Sequence, residues 1–89
     1  MRAIITVVGS DKVGIIAQVC AFFAERNINI EEINQTVLSG TFVMVMTVDL
    51  SASLKPLETA KAELADLSVR MGVSISMMHE AVFSAMHRI

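Results

Sequence analysis

Between Val7 and Val19 the chain reads VVGSDKVGIIAQV, and this stretch holds the residue types best suited to chemistry. Gly9 and Gly14 bracket Ser10, Asp11, Lys12 and Val13, and Ile15 opens an apolar run behind them. A β-branched run precedes the turn and a helical pattern follows it, so the turn lies at a helix N-terminus. Such a terminus presents unpaired N–H groups and a partial positive charge, which can hold a carboxylate such as that of an amino acid. Asp11 can accept a hydrogen bond from an ammonium group, or it can cap the helix; the two uses compete for one side chain. Gly14 falls in the first helical turn, where it is disfavoured by about 1 kcal/mol relative to alanine. Its presence there allows close approach of a ligand or of another backbone. Lys12 reads as a solvated charge. Gly9 through Ile15 is therefore a candidate ligand site, weighed against a plain turn that is capped and tightly packed.

Other chemistries find less support. Cys20 is the single cysteine, which excludes an intrachain disulfide and a cysteine-based metal cluster. It lies among apolar residues and reads as a small hydrophobe. His79, Glu80 and His87 could form a metal site across a strand–helix junction, but surface histidines account for them more simply. No Ser-His-Asp spacing or carboxylate pair stands out. Glu31 and Glu32 are adjacent, which in a strand points them to different sides. We expect no catalytic residues, no metal and no cofactor. The net charge is −2 with mixed signs and no basic stripe, so nucleic acid is not an expected partner. No apolar stretch approaches the roughly 20 residues needed to span a bilayer, and no signal-peptide layout opens the chain. It reads as a soluble cytoplasmic protein.

These residues must be positioned by a small scaffold. The 89 residues suit one domain, and 54% hydrophobic content allows a core. Arg2 to Val8, ended by Gly9, reads as a buried strand. Val13 to Arg26 reads as a helix, apolar almost all round. Ile28 and Ile30 alternate, the phase slips at Glu31-Glu32 and resumes at Ile33, which predicts a bulged strand. Ser39-Gly40 is a hairpin signal. Thr41 to Leu50 is the clearest strand, with Phe42, Met44, Met46, Val48 and Leu50 on one face. Leu57, Ala60, Leu64, Leu67 and Met71 predict a second helix, with Ser53 as N-cap, Pro56 in its first turn and Gly72 as its stop. Lys61, Glu63, Asp66 and Arg70 are placed toward water. Val73, Ile75, Met77 and His79 alternate as a fourth strand. Val82, Phe83, Met86 and Ile89 then fall at helical spacing.

The order β-α-β, hairpin, β-α-β predicts an α+β, ferredoxin-like βαββαβ fold. It has a four-stranded antiparallel sheet, two helices on one face and a short C-terminal helix. We expect a domain over 1–80 and a helical extension over 81–89. The fold hosts many functions, so residues must choose among them. An RNA-recognition module needs exposed aromatics on its central strands; RAIITVV has none. A metal-carrying module needs thiolates after the first strand, and GSDKVG has none. An acylphosphatase-like hydrolase needs an arginine in that loop, which instead carries Asp11 and Lys12.

The residues VVGSDKVGIIAQVCAFFAERNINIEEINQ resemble the start of an ACT domain, a small-molecule-binding regulatory module. The resemblance rests on the first strand, the D-x-x-G-I turn at Asp11 to Ile15, the apolar helix and the NINI strand start at Asn27 to Ile30. It covers about residues 2 to 80, and the whole looks like a short stand-alone ACT protein of bacteria and archaea. The resemblance implies an effector, an amino acid or related metabolite, near the turn at a homodimer interface. It also implies that backbone groups of Asn29 and Ile30, at the start of the second strand, complete the pocket from a partner subunit, while their side chains can equally serve as turn formers. The expected function is a non-catalytic regulator that signals in trans, with an enzyme as a candidate partner. The alternative is an interaction module that docks on an enzyme without binding a metabolite, through its sheet edge or the Phe83/Met86 tail face.

Overall fold

The computed structural model describes residues 1–10 and 14–86 of the chain. Its elements run β1 (Arg2–Ser10), α1 (Ile15–Glu25), β2 (Asn29–Leu38), β3 (Thr41–Asp49), α2 (Leu57–Met71), β4 (Ser74–His79) and α3 (Glu80–Met86). The strands form one antiparallel sheet in the order β2-β3-β1-β4, the expected ferredoxin-like arrangement. None of the described helices is long and apolar enough to cross a membrane.

The core follows from strand alternation. Ala3, Ile5 and Val7 of β1 face Val48, Met46 and Met44 of β3, and all six are fully buried. Ile15, Val19, Phe22 and Phe23 of α1 and Ala60 and Leu64 of α2 close over them. The bulge in β2 is present: pairing to β3 slips between Ile30 and Glu32. The β2–β3 hairpin turns through Ser39 and Gly40 with φ 51° and 80°. Positive φ at both central residues is what a two-residue turn matched to strand twist requires.

Helices α1 and α2 end alike. After α1, Asn27 is left-handed at φ 57°, and Asn27 N–H and Ile28 N–H donate to the Ala24 and Phe23 carbonyls. After α2, Gly72 is left-handed at φ 69°, and Gly72 N–H and Val73 N–H donate to the Val69 and Ser68 carbonyls. These paired bonds satisfy carbonyls that a helix end otherwise leaves open. Ile28 and Val73, the residues that follow, are both buried.

Three local expectations need correction. Gly9 does not end the first strand; β1 continues to Ser10, which pairs with Thr41. A Cβ on Gly9 would lie 2.6 Å from Val73 Cγ1, so the glycine lets the start of the β4 segment lie against β1. Ser53 does not cap α2. Its hydroxyl accepts from Lys55 N–H and donates to the Lys55 carbonyl, closing its own turn, and Pro56 is the N-cap residue. Glu63 does not simply face water. It accepts from Arg26 Nε at 2.8 Å and Lys55 Nζ at 3.1 Å, tying α2 to the end of α1. Helix α3 follows directly from β4 at Glu80, and His79 Nδ1 accepts from the Ala81 N–H. His87 and Ile89 lie outside the described residues.

Two outcomes follow. Gly9→Ala should destabilise the fold by about 1–3 kcal/mol through overpacking. Val73→Ala made in addition should recover part of that loss, which a double-mutant cycle in urea would read as coupling. The hydrogen bond from Arg26, and then that from Lys55, holds the Glu63 carboxyl below the ordinary glutamate range. The unfolded chain therefore takes up this proton first as pH falls. The stabilisation is complete above the unfolded value and is lost as pH drops through the folded one. Asp49, lowered mainly by the Ser51 hydroxyl, behaves likewise. Glu63→Gln should thus lose stability less steeply than the parent below about pH 5, without becoming flat.

Candidate functional site

The turn between β1 and α1 is built by the end of a central strand and the start of an apolar helix. Ser10 is exposed, Gly9 and Gly14 are half-buried, and Ile15 is buried in the core. Asp11, Lys12 and Val13 lie outside the described residues, so the competition between an Asp11 cap and an Asp11 ligand contact stays an expectation.

Gly14 is not inside the first helical turn, as its spacing predicted, but is the N-cap residue of α1. Its φ is 94°, and a Cβ there would meet only Gln18 Nε2, at 4.0 Å. The glycine is required by backbone conformation rather than by crowding. The first helical bond runs from Gln18 N–H to the Gly14 carbonyl, at 2.9 Å. The N–H groups ahead of it have no intrahelical acceptor. The N-cap residue supplies no side-chain bond, and the first turn of α1 has no acidic residue. The positive end of this helix is therefore not neutralised by α1's own first turn.

Asn29 and Ile30 are placed elsewhere. Through β3, Ser10 is registered with Thr41 and Leu38, whereas Asn29 is registered with Asp49 and Arg2. Thr41 and Asp49 are eight residues apart on β3, about 27 Å at the usual antiparallel rise. Within one chain, the turn and the start of β2 are at opposite ends of the sheet. The Asn29 end has its own open depression of about 330 Å³, lined by Ala24, Asn27, Ile28, Asn29 and Ala52. The Asn29 side chain is exposed, and no hydrogen bond to it is found among the described residues, while Asn27 Nδ2 is engaged with the Ala52 carbonyl at 2.9 Å.

Sequence reasoning missed the ionic groups around this second end. Arg2 Nε meets Glu31 Oε1 at 2.8 Å, at the bulge, and Arg2 Nη1 reaches Glu80 Oε2 at 4.0 Å. Arg26 lies over the Phe22 ring, 3.6 Å from its centroid, and donates to the Phe22 carbonyl. No spacing rule signals partners this far apart in sequence. Among the described residues no group of three or more His, Cys, Asp or Glu could hold a metal.

The sheet order β2-β3-β1-β4 and the helices packed on it are those of a ferredoxin-like domain, a fold that does not by itself state a function. Residues 2–78 match the ACT domain family model. The chain belongs to the ACT domain family. It is 46% identical over its full 89 residues to a UPF0237 protein of Clostridium acetobutylicum, all of which is covered. Its fold is similar to that of an ACT domain protein from Streptococcus pneumoniae, with TM-score 0.83 and 38% identity over 93% of each chain. It is also similar to the regulatory subunit of aspartate kinase from Thermus thermophilus. That match has TM-score 0.65 and 27% identity, over 85% of this chain and 49% of the other.

The conformational reading of Gly14 is checked by Gly14→Ala. With free space for the Cβ, the cost is that of the left-handed backbone alone, about 1–2 kcal/mol in urea titration. A near-neutral result would mean that Gly14 does not hold this φ in solution.

Proposed function

We propose that the chain is a non-catalytic regulatory module that binds an amino acid or related small metabolite between two copies of itself. The observation that carries this reading is the β1–α1 turn. There a glycine N-cap leaves the first N–H groups of α1 without intrahelical acceptors. An α-carboxylate suits that position by charge and by hydrogen bonding. Asp11, in the same turn, is suited to an ammonium group. Asn29 and Ile30 complete the pocket from the second copy, since within one chain they lie about 27 Å from the turn. The resemblance to a protein described as a regulatory subunit of aspartate kinase supports a regulatory role.

The effector acts by binding one assembly state more tightly than another, because a ligand shifts an equilibrium only through differential affinity. The output is made in trans, on an enzyme partner. The proposed pocket comprises Gly9, Ser10, Asp11, Lys12, Val13, Gly14 and Ile15 of one copy with Asn29 and Ile30 of the other.

A thermal-shift screen of the purified chain against the amino acids and common metabolites tests this. A specific ligand at 100 times its Kd adds about 2.7 kcal/mol, several degrees for a domain of this size. The shift should vanish in Gly14→Val and weaken in Asn29→Pro, which removes the backbone N–H at the start of β2, each compared with its own ligand-free baseline. A hit that survives both substitutions would place the ligand elsewhere. A blank screen would favour an interaction module that docks without a metabolite, read next by pull-down.

A further inference from the structure

Helices α1 and α2 leave a groove between them that the proposed pocket does not use. Helix α1 lines it with Gln18, Ala21, Phe22 and Glu25, which fall at helical spacing on one face. Helix α2 lines it with Leu67 and Arg70, and Arg26 follows from the end of α1. The groove is open and holds about 200 Å³. Its two ends differ in charge. At one, Arg26 Nε meets Glu63 Oε1 at 2.8 Å, Arg26 Nη1 lies 3.5 Å from Glu25 Oε1, and Lys55 Nζ meets Glu63 Oε2 at 3.1 Å. Two cations and two carboxylates balance there. From this cluster the groove runs back along α1 to Gln18 and forward along α2 to Arg70, about 12 Å and 11 Å at the helical rise. At this far end, among the described residues, the Arg70 guanidinium has no ion-pair partner and the Gln18 side-chain amide has no hydrogen bond. Asp66, one turn before Arg70, does not pair with it.

We propose that this groove binds a small monocarboxylate with an apolar body. The carboxylate lies at Arg70 and Gln18, and the body lies over Ala21, Phe22 and Leu67. A guanidinium offers a carboxylate two parallel N–H donors, and a glutamine amide adds a neutral donor beside it. The middle of the groove is apolar: Phe22 is buried, Leu67 is half-buried, and the small side chain of Ala21 leaves room above them. The charges select the ligand class. A second carboxylate on the ligand would meet Glu63 and Glu25 at the balanced end, where no cation is left to receive it. A cation is turned away by Arg70. A small inorganic anion would leave the apolar middle uncovered, and burying that surface is what adds affinity beyond the ion pair. The chain as a whole carries −2, so the unmatched guanidinium is a local exception to its charge.

The site lies within one copy and apart from the β1–α1 turn, so it stands or falls independently of the pocket proposed there. Hexanoate is the probe and hexanamide its uncharged counterpart, each titrated into the isotope-labelled chain and followed by amide NMR. Hexanoate should give saturable shifts at the Ala21, Phe22, Leu67 and Arg70 amides. Hexanamide should bind about tenfold more weakly, the loss expected when a charge-assisted hydrogen bond becomes a neutral one. Arg70→Gln should weaken hexanoate by about the same factor and leave hexanamide unchanged. Ala21→Phe fills the groove from its exposed side and should abolish binding of both, with unchanged circular dichroism. Equal binding of hexanoate and hexanamide, or hexanoate binding that survives Arg70→Gln and Ala21→Phe undiminished, overturns the proposal. So does a titration without saturable shifts at the groove. Shifts centred on Ser10, Gly14 and Ile15 would assign the carboxylate to the turn instead, and they overturn it too.

Discussion

Strand β1 is hydrogen-bonded along both of its edges, to β3 over its whole length and to β4 over most of it. Its core-facing residues, Ala3, Ile5 and Val7, have no exposed surface. A slip of one residue would turn all three to the open face, so the register is strongly specified. Because β3 is registered in turn with β2, this one ladder decides where every other group lies. It puts the α1 terminus at one end of the sheet and the start of β2 at the other. The close approach of β1 to Val73, allowed by Gly9, seats the fourth segment against the same strand.

Much of this was legible in the residues. Alternation in Thr41 to Leu50 and helical spacing in Leu57 to Met71 reflect burial on one face, which is a strong signal. The bulge at Glu31 was visible as a phase slip, and the hairpin as Ser39-Gly40. The errors gather at element ends, where a few hydrogen bonds decide. Ser53 has the right chemistry for a cap, but its hydroxyl is drawn to Lys55 instead. Gly14 was read as a residue of the first helical turn rather than as the N-cap, because a sequence does not display φ.

The candidate site was legible in part. The turn was visible because two glycines around a polar run have few structural uses. The separation of Asn29 from that turn within one chain was implied only by the family resemblance, because no residue spacing displays register across three strands. The Arg26–Glu63–Lys55 cluster was also hidden. Its members come from α1's end, the β3–α2 connection and α2, and only folding brings them together. Glu63 shows why a polar stripe on a helix is an incomplete guide: one member of the stripe is turned to a neighbouring element.

The two ends of α1 differ in how they are held. At the Arg26 end, the guanidinium lies on Phe22 and bonds Glu63, the Arg26 carbonyl accepts from Leu54 N–H, and the Asn27 amide bonds Ala52. At the Gly14 end, the described residues supply no comparable ties from another element. Opening events in a native protein start where such ties are few. The Arg26 end of α1 is thus tied by polar contacts to α2 and to the segment after β3, whereas Ile15 and Ile16 hold the other end by apolar packing. One end is therefore fixed by directional bonds, which specify an angle, and the other by packing, which specifies only a depth.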